Sequence, residues 1–331
     1  MTDPLSRHLS DLPSPDLSAV NNMQRRLTDI LRPNGALARL DEIAVFMAGW
    51  QGLDFPSVNK PKVLIFAGDH GVAQAGVSAY PSEITKSMYS AFESGCSTIN
   101  ALARIAGASV TAVDVGVGRP TGDIRTEPAM SPDRFEEVFQ IGRRAVQHCD
   151  CDLLALGEMG IGNTTPSAAV VAALFGGEVA TWVGRGTGVD DDGMKRKVTA
   201  VESAVERVGD ASPYEILREL GGTEIVALAG AIVEARKRRI PVVLDGFVVT
   251  AASAPLYSCN PAALDHCVVG HKSAEAGHQQ LLNRLDLRPI LNMEFRLGEG
   301  SGAAAAIPMI SMACAAATEV PTFSEFFEAD T

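Results

Sequence analysis

The sequence predicts an α/β fold with a mostly parallel, doubly wound sheet, and three observations support this prediction. Short apolar runs recur along the chain and are separated by stretches with helical periodicity. Several runs end in glycine and a polar residue, which is how strands end where α/β folds place their ligands. Hydrophobic residues make up 46% of the chain but aromatic residues only 5%. The core must therefore consist mainly of Ala, Val, Leu and Ile, which suits close packing of helices on a sheet.

The N-terminal segment precedes the alternating pattern. Residues 1–15 are polar, contain prolines and indicate a loose tail. Apolar residues at helical spacing predict one helix over about 16–31 and a second over about 36–50, with Arg32-Pro33-Asn34-Gly35 breaking the pattern between them. This helical pair differs in character from the chain that follows.

The predicted strands come next, and each is a short apolar run. Helices are predicted between them, one opening at Pro81-Ser82-Glu83 and another over 133–149. Because strand and helix alternate, the strands should be parallel neighbours in one sheet. The predicted strands are 63–66, 109–115, 152–156, 179–183, 242–244 and 267–269.

Composition argues against several classes of protein. The net charge is -12 and no large Lys/Arg cluster offsets it, so nucleic acid and acidic membrane surfaces are not expected as partners. Six scattered cysteines favour a reduced, cytoplasmic protein. Cys149 and Cys151 form the one close pair, but no second half of a zinc site follows. There is no signal peptide pattern and no run of 18 apolar residues, so no membrane span is expected.

The heptapeptide Arg296–Gly302 places one carboxylate, Glu299, among three glycines and before an alanine-rich apolar run. Glycines let a backbone approach a ligand closely. A carboxylate that is poorly hydrated has a raised pKa and is a better general base. On these residues alone the alternative stays open, namely a glycine-rich turn before a core helix with Glu299 as the anion at the helix start.

A glycine-rich turn also follows the predicted strand 152–156. Thr165 is predicted to cap a helix and Pro166 to occupy its first position, so the free amides there can cradle a phosphate. An ordinary tight turn is the alternative. Glu158 is an unfavourable neighbour for a phosphate, which suggests contact with a base or sugar.

Polar residues follow other predicted strands. Asp190, Asp191 and Asp192 fit the first turn of a helix, or alternatively a magnesium site. Lys197 is a candidate counter-charge for a phosphate, although most such lysines are merely solvated. Asp69-His70 could hold a substrate hydroxyl or orient a catalytic group, or Asp69 could cap a turn.

Two more positions complete the set. Asp245 only superficially resembles the diphosphate loop of ordinary phosphoribosyltransferases, because the paired acids of that loop are missing. Ser273 could cap a helix or contact a phosphate. Together these positions predict one crevice for a phosphorylated, ribose-like ligand.

The motifs stand in the order found in the nicotinate-nucleotide–dimethylbenzimidazole phosphoribosyltransferase family, which this sequence resembles from about residue 32 to 308. The combination is specific, although no single motif is. The motifs are Gly68-Asp69-His70-Gly71-Val72, Gly157-Glu158-Met159-Gly160 with Asn163-Thr164-Thr165-Pro166, Val243-Leu244-Asp245-Gly246-Phe247, and Arg296 to Gly302.

The resemblance implies a Rossmann-like sheet with a small helical domain, formed by residues 1–50 and 310–331, beside a large substrate-binding and catalytic domain over 51–309. It also implies a homodimer and no metal or organic cofactor. The implied reaction transfers phosphoribose from nicotinate mononucleotide to 5,6-dimethylbenzimidazole or a related base. It gives α-ribazole 5′-phosphate and nicotinate for the nucleotide loop of cobalamin.

The resemblance also implies roles for individual residues. Glu299 matches the family's general base, and Glu158 matches its second important carboxylate. The implied phosphate and ribose contacts are Gly160, Asn163, Thr164, Thr165, Gly184, Lys197, Ser273 and Asp245.

The implied base pocket consists of Asp69, His70, Tyr80, Met88, Met159 and Leu297. Well-studied members have Ser and Gln where Tyr80 and Met88 stand, so the base that is accepted stays open. Two other functions remain possible. One is a non-catalytic nucleotide sensor, against which the retained Glu158 and Glu299 argue. The other is a metal-dependent phosphoribosyltransferase or hydrolase that uses Asp190 to Asp192.

Overall fold

A six-stranded parallel sheet organises the fold, which confirms the predicted α/β class. In the computed structural model, which describes residues 3–328, the strand order is β2-β1-β3-β4-β5-β6 and every pair is parallel. The order reverses between β1 and β3, which is where doubly wound sheets bind ligands. The strands are β1 Pro61–Gly68, β2 Ser109–Gly116, β3 Leu153–Met159, β4 Val242–Leu244, β5 Cys267–His271 and β6 Pro289–Leu291.

Helices cover both faces of this sheet. Short 3-10 segments lie at Gly71–Ala75, Val179–Thr181 and Pro261–Leu264. The α-helices are α1 Pro4–His8, α2 Leu17–Asp29, α3 Arg39–Gln51, α4 Ile84–Glu93, α5 Thr98–Ile105, α6 Pro132–Gln147, α7 Thr164–Phe175, α8 Asp191–Val208, α9 Pro213–Leu220, α10 Thr223–Lys237, α11 Phe247–Cys259, α12 Ala276–Arg284, α13 Ser301–Thr318 and α14 Phe323–Glu328.

The central strands β1, β3, β4 and β5 are largely apolar because both of their faces are buried. Leu64 and Phe66 of β1 point into the core shared with α6, α7, α10 and α11. Val63 and Ile65 point to the opposite core, formed with α3, α5 and α13. Successive side chains alternate between faces, so a strand buried on both sides is a continuous apolar run.

One predicted strand is wrong, and one strand of the sheet was not predicted. The apolar run 179–183 is not a strand, since Val179–Thr181 forms a 3-10 turn. Trp182 follows it, is fully buried and donates through Nε1 to the Gly176 carbonyl at 2.9 Å. The run is apolar because it packs under α7 and α8, without joining the sheet. The strand that was not predicted is β6, a three-residue edge strand that begins with proline.

The two chain ends pack together. The helices predicted over 16–31 and 36–50 are confirmed as α2 and α3, with α3 starting later than predicted. Ile30 pairs with Thr322 in an antiparallel bridge, and Arg26 donates to the carbonyls of Ala317 and Val320. The tail prediction is wrong within the described residues, because α1 buries Leu5 in the main core.

The division into two domains stays a prediction. Residues 1–2 of the predicted tail and 329–331 of the predicted small domain lie outside the described residues.

Helix α13 tests the expectation that no segment could span a membrane. Within residues 3–328, Ser301–Thr318 is the one helix long and apolar enough to do so, and 56% of it is buried. It is not an unbroken apolar run, because Ser, Gly and Thr interrupt the sequence. Its buried side chains face β5, β3 and α3, as those of a core helix do.

The crossing of α6 and α10 depends on glycine. A Cβ at Gly142 would overlap the carbonyl of Ala227, and one at Gly230 would overlap the carbonyl of Phe139. We expect Gly142→Ala to lower the free energy of unfolding by about 1–3 kcal/mol, since the helices would have to separate. Chemical denaturation measures this change. Gln147→Ala, at an exposed position of the same helix, is the control and should leave stability within about 0.5 kcal/mol. Equal stability of both variants would contradict the close approach.

Candidate active site

One large cavity of about 780 Å³ opens at the carboxyl ends of the strands. It lies at the reversal of strand order, so the topology and the predicted crevice agree. The segments that line it follow β3, β4 and β5 or precede α13, and side chains from α4, α5 and α8 close its walls.

Glu299 reaches this cavity from the turn before α13. Its φ is 64°, an unusual conformation for a residue other than glycine, and Gly298 and Gly300 on either side have φ of 80° and 82°. Its amide donates to the carbonyl of Glu158 at 3.2 Å. The side chain is 5% exposed, and its Oε2 has no hydrogen-bond partner among the described residues.

The environment of Glu299 suits proton transfer. Burial raises its pKa to about 7, the Ile99 backbone opposes that shift, and the charge of Asp245 adds to it. A carboxyl that titrates near neutral pH is matched to the work of a general base. Glu299 does not serve as the anion at the helix start, because α13 has no side-chain cap of its own.

Asp245 serves as that anion instead. It follows β4 and is part of the cavity lining. Its carboxylate accepts from the amides of Gly300, Gly302 and Ala303 at 3.2, 2.7 and 2.9 Å. Burial raises the pKa of Asp245 and these amides oppose the shift. The structure therefore places Asp245 at a helix terminus, where the sequence analysis expected a phosphate or ribose contact.

Glu158, on β3, lies next to the same turn. It is buried and accepts a short hydrogen bond from the side-chain amide of Asn163. Burial raises its pKa to about 8, Asn163 opposes the shift, and the carboxylates of Asp245, Glu224 and Glu299 add to it. Glu158, Glu299, Asp245 and Glu275 all line the cavity, and burial disfavours the charged form of each.

The turn from Gly160 to Asn163 leads directly into α7. The predicted cap at Thr165 is wrong, since α7 begins at Thr164 and its N-cap is Asn163. The turn is already helical here, because the amides of Asn163 and Thr165 donate to the carbonyls of Gly160 and Gly162. Gly160, Asn163 and Thr164 line the cavity and Thr165 lies behind them.

Lys197 reaches this turn from α8. It is only 1% exposed and donates to Thr164 Oγ1 at 2.8 Å and to the Gly184 carbonyl at 2.7 Å. Burial lowers the pKa of Lys197 to about 8, and Glu275 acts in the opposite direction. Lys197 and Ser273 line the cavity, whereas Gly184 lies behind the lining and holds the lysine through its carbonyl.

Apolar side chains form another part of the cavity lining. Tyr80, Met88, Met159 and Leu297 all line the cavity, as the sequence analysis expected of a base pocket. Asp69 and His70 do not belong to this lining. Asp69 accepts from the Gly118 amide at 2.7 Å, and His70 pairs with Glu224 of α10 at 2.7 Å. Both are buried, and His70 lies beneath Gly160.

Several lining residues were not predicted. Ile84 and Leu102 extend the apolar wall, and their helical spacing gave no reason to separate them from core residues. Ser301 and Glu275 have buried polar atoms without a partner within residues 3–328, as does Ser273. Their positions, at the start of α13 and shortly after β5, were the available signals. Arg185 and Arg296 add positive charge to the lining.

The three aspartates of α8 act as first-turn residues. Asp190 caps the helix by accepting from the Gly193 amide at 2.7 Å. Asp191 pairs with Arg185 at 2.5 Å and Asp192 with Lys195 at 3.0 Å. In the described part of the chain no group of three or more His, Cys, Asp or Glu side chains is arranged to hold a metal. Cys149 and Cys151 are free thiols.

Comparisons with known proteins agree on one family. Residues 12–326 match a family model described as phosphoribosyltransferase. The nicotinate-nucleotide–dimethylbenzimidazole phosphoribosyltransferase of Mesorhizobium japonicum is 46% identical over 325 residues, which cover 98% of this chain and 96% of that protein. The protein of the same name from Cereibacter sphaeroides is 46% identical over 316 residues, which cover 95% and 93%. The crystal structure of CobT from Thermus thermophilus is 38% identical, with a TM-score of 0.90, over 94% of this chain and 98% of that one.

Proposed function

This chain belongs to the phosphoribosyltransferase family whose model it matches, and from that premise we propose that it transfers phosphoribose from nicotinate mononucleotide to 5,6-dimethylbenzimidazole or a related base. The products are nicotinate and α-ribazole 5′-phosphate, the nucleotide from which the lower ligand of cobalamin is made. The observation that carries the proposal is Glu299, a buried carboxyl with one oxygen that has no partner among the described residues, in the lining of a cavity that also has apolar and cationic side chains.

The chemistry needs a base and a good leaving group. One nitrogen of the benzimidazole attacks C1 of the ribose, and the bond from C1 to the pyridinium nitrogen breaks. The electron pair of that bond neutralises the pyridinium, and nicotinate leaves. The other nitrogen of the acceptor loses its proton to Glu299, so charge balances. Attack opposite the leaving group converts the β-nucleotide into an α-product.

Glu158 has a second role in the proposal. It lies against the Glu299 turn and, through Asn163, against the turn that leads into α7. Its carboxyl is part of the cavity lining, as are Glu299 and Asn163. Positive charge develops on the ribose as the pyridinium departs, and an ionised Glu158 stabilises it.

The phosphate is proposed to bind at the start of α7. Gly160, Asn163, Thr164, Lys197 and Ser273 line that side of the cavity. The helix N-terminus favours an anion, and Lys197 supplies a full positive charge. Thr165 and Gly184 support these groups from behind, Gly184 by holding Lys197.

Phosphate binding should weaken as pH rises through about 8, because the depressed pKa of Lys197 means that its charge is lost there. We expect the KM for nicotinate mononucleotide to increase above that pH in the wild type. Lys197→Met should raise this KM by about 10–100-fold, the value of a charge-assisted hydrogen bond, and should remove the pH dependence. Initial-rate kinetics on both sides of the Lys197 pKa of about 8 measure both effects.

Lys195→Met is the matched control, since Lys195 is exposed on the same helix and pairs with Asp192. It should behave as the wild type. A Lys197→Met enzyme with an unchanged KM would contradict the phosphate assignment.

The acceptor is proposed to bind against the apolar wall. Tyr80, Met88, Met159 and Leu297 present carbon and sulfur surface, which suits a flat ring that carries methyl groups. Asp69 and His70 take no part in this contact, because they lie outside the lining.

A homodimer in the cytoplasm completes the proposal. Phe323, Phe326 and Phe327 of α14 are 41%, 45% and 61% exposed. A second copy of the chain would bury this surface. Light scattering that shows a monomer at micromolar concentration would remove this part. Nucleic acid is not a proposed partner, in keeping with the net charge of -12.

The test of function is direct turnover. Purified protein is incubated with nicotinate mononucleotide and dimethylbenzimidazole in excess EDTA, and the products are separated by chromatography. α-Ribazole phosphate and nicotinate in equal amounts are expected. Activity that requires an added divalent ion would favour the metal-dependent alternative. Nucleotide binding without turnover on any benzimidazole, purine or phenol would favour a sensor.

A further inference from the structure

We propose that Asp245 is a positioning residue for Glu299, which it holds in place by gripping the start of α13. This inference rests on the proposed role of Glu299 as the general base. It replaces the phosphate or ribose contact that the sequence predicted for Asp245 with an indirect role. Asp245 therefore governs the rate of the reaction and contributes little to binding the nucleotide.

Three hydrogen bonds join the carboxylate of Asp245 to the start of α13. Oδ1 of Asp245 accepts from the amides of Gly302 and Ala303 at 2.7 and 2.9 Å, and Oδ2 accepts from the amide of Gly300 at 3.2 Å. The first amides of a helix have no partner within it and need one elsewhere. Gly300, the N-cap of α13, has no side chain to provide this partner. Asp245, which follows β4, therefore acts as the cap of α13.

The turn that carries Glu299 needs such support. Gly298, Glu299 and Gly300 all have positive φ, and a glutamate stays in this region only when its surroundings hold it. The turn is fixed on one side by the hydrogen bond from the Glu299 amide to the Glu158 carbonyl. The bond from the Gly300 amide to Asp245 fixes the other side. Without the second bond, the turn that carries Glu299 is fixed only by the hydrogen bond to the Glu158 carbonyl, and the Glu299 carboxylate is no longer held in one position.

Asp245 itself cannot move away. It is 1% exposed, and Nε2 of His271 lies 3.6 Å from its Oδ1. The start of α13 packs directly on that histidine, because a Cβ at Gly302 would overlap the His271 ring. Both oxygens of Asp245 already accept hydrogen bonds, whereas Oε2 of Glu299 has no partner among residues 3–328. Asp245 therefore fits a positioning role, and Glu299, with one oxygen unpartnered, fits the role of the reacting carboxylate.

The experiment compares Asp245→Asn with the wild type. The asparagine side chain keeps an oxygen that accepts from the backbone amides of Gly302 and Ala303. Its NH2 group, a donor, replaces the oxygen that accepts from the Gly300 amide. We expect kcat to fall by about 100-fold, the effect of a misplaced catalytic group, while the KM for nicotinate mononucleotide stays within about 3-fold, since uniform binding is not removed. A rise in KM with an unchanged kcat would mean that Asp245 contacts the substrate, and would overturn the inference.

The pH profile separates positioning from a loss of stability. Asp245, which follows β4, is the carboxyl group that adds to the raised pKa of Glu299, and the Ile99 backbone opposes the shift. Glu158 of β3 lies next to the same turn, and His271 lies behind Asp245. Removing the charge of Asp245 lowers the pKa of Glu299. The acid limb of kcat in Asp245→Asn should therefore move to lower pH, and an unmoved limb would count against the proposal.

Asp16→Asn is the matched control. Asp16 caps α2 by accepting from the amides of Ser18 and Ala19 at 2.9 and 3.0 Å, and it does not line the cavity. This variant should lose similar stability and keep the wild-type kcat. If Asp245→Asn does not fold, Asp245→Ser is the second variant, because its shorter side chain cannot accept from the amides of Gly300 and Ala303 at the same time. For this variant too we expect kcat to fall while the KM for nicotinate mononucleotide stays nearly unchanged.

A second measurement does not depend on turnover. Hydrogen exchange over residues 298–303 should be faster in Asp245→Asn than in the wild type, and equal protection would overturn the inference. If the wild type fails to turn over the proposed substrates, the proposed function fails. The exchange result then still decides whether Asp245 holds the turn.

Discussion

Glu299→Gln is expected to lower kcat by about 10²–10⁴-fold, the usual contribution of a general base, and to leave the KM for nicotinate mononucleotide nearly unchanged. The amide has the shape of the carboxyl but cannot accept the proton that the benzimidazole loses. Glu299 is held by its own backbone, through the Glu158 carbonyl and the bond from Gly300 to Asp245, so the substitution leaves those contacts intact. Single-turnover kinetics with saturating nucleotide measure the chemical step.

The pH dependence of the wild type gives an independent check. The pKa of Glu299 is raised to about 7, so the carboxylate gains a proton as pH falls through that value and stops acting as a base. The rate should decline toward acid with a midpoint near the same pH. Glu319→Gln, at the other end of α13 and exposed, is the control and should keep the wild-type profile. A Glu299→Gln enzyme as fast as the wild type would remove Glu299 from the reaction.

The fold and the main catalytic candidate were predictable because their signals are local. A strand buried on both faces is a continuous apolar run, and β1, β3 and β4 were recognised in this way. The glycines on either side of Glu299 indicated a special backbone, and the positive φ values are the structural counterpart. Such features need only a few neighbouring residues to be visible.

Contacts with partners far away in the chain could not be predicted. Asp69 and His70 look like site residues after a strand, but the partner of His70 is Glu224 on α10, and α10 is buried on all sides, without the apolar stripe that predicts a helix. The three amides that occupy Asp245 lie more than fifty residues downstream. Sequence spacing carries no information about these bonds.

The run at 179–183 shows a different limit. Short apolar segments that are rich in Val and Thr have the composition of a strand, whether they join a sheet or pack beneath a helix. Here the burial of Trp182 decides the outcome. Only the tertiary structure separates the two cases.

Glu158→Gln is the second change for which we expect a large effect, a fall of about 10²–10³-fold in kcat/KM, as for loss of one charge-stabilising group in an active site. The pKa of Glu158 is raised to about 8, so this carboxyl is mostly protonated at neutral pH before the donor binds. The pyridinium ring of the donor is cationic, and its arrival favours the ionised form. Binding of nicotinate mononucleotide should therefore release a proton just below the pKa of about 8, and the new charge then stabilises the developing cation on the ribose.

Calorimetry in buffers of different ionisation enthalpy measures that proton release. Glu158→Gln should abolish it, because the amide does not titrate in this range, and Glu206→Gln, at an exposed site on α8, should preserve it. The double variant Glu158→Gln with Glu299→Gln should lose less than the product of the single losses, because the two side chains act on one transition state. Proton release that persists in Glu158→Gln would assign it to another group, and an unchanged kcat/KM would leave Glu158 as a buried partner of Asn163 alone.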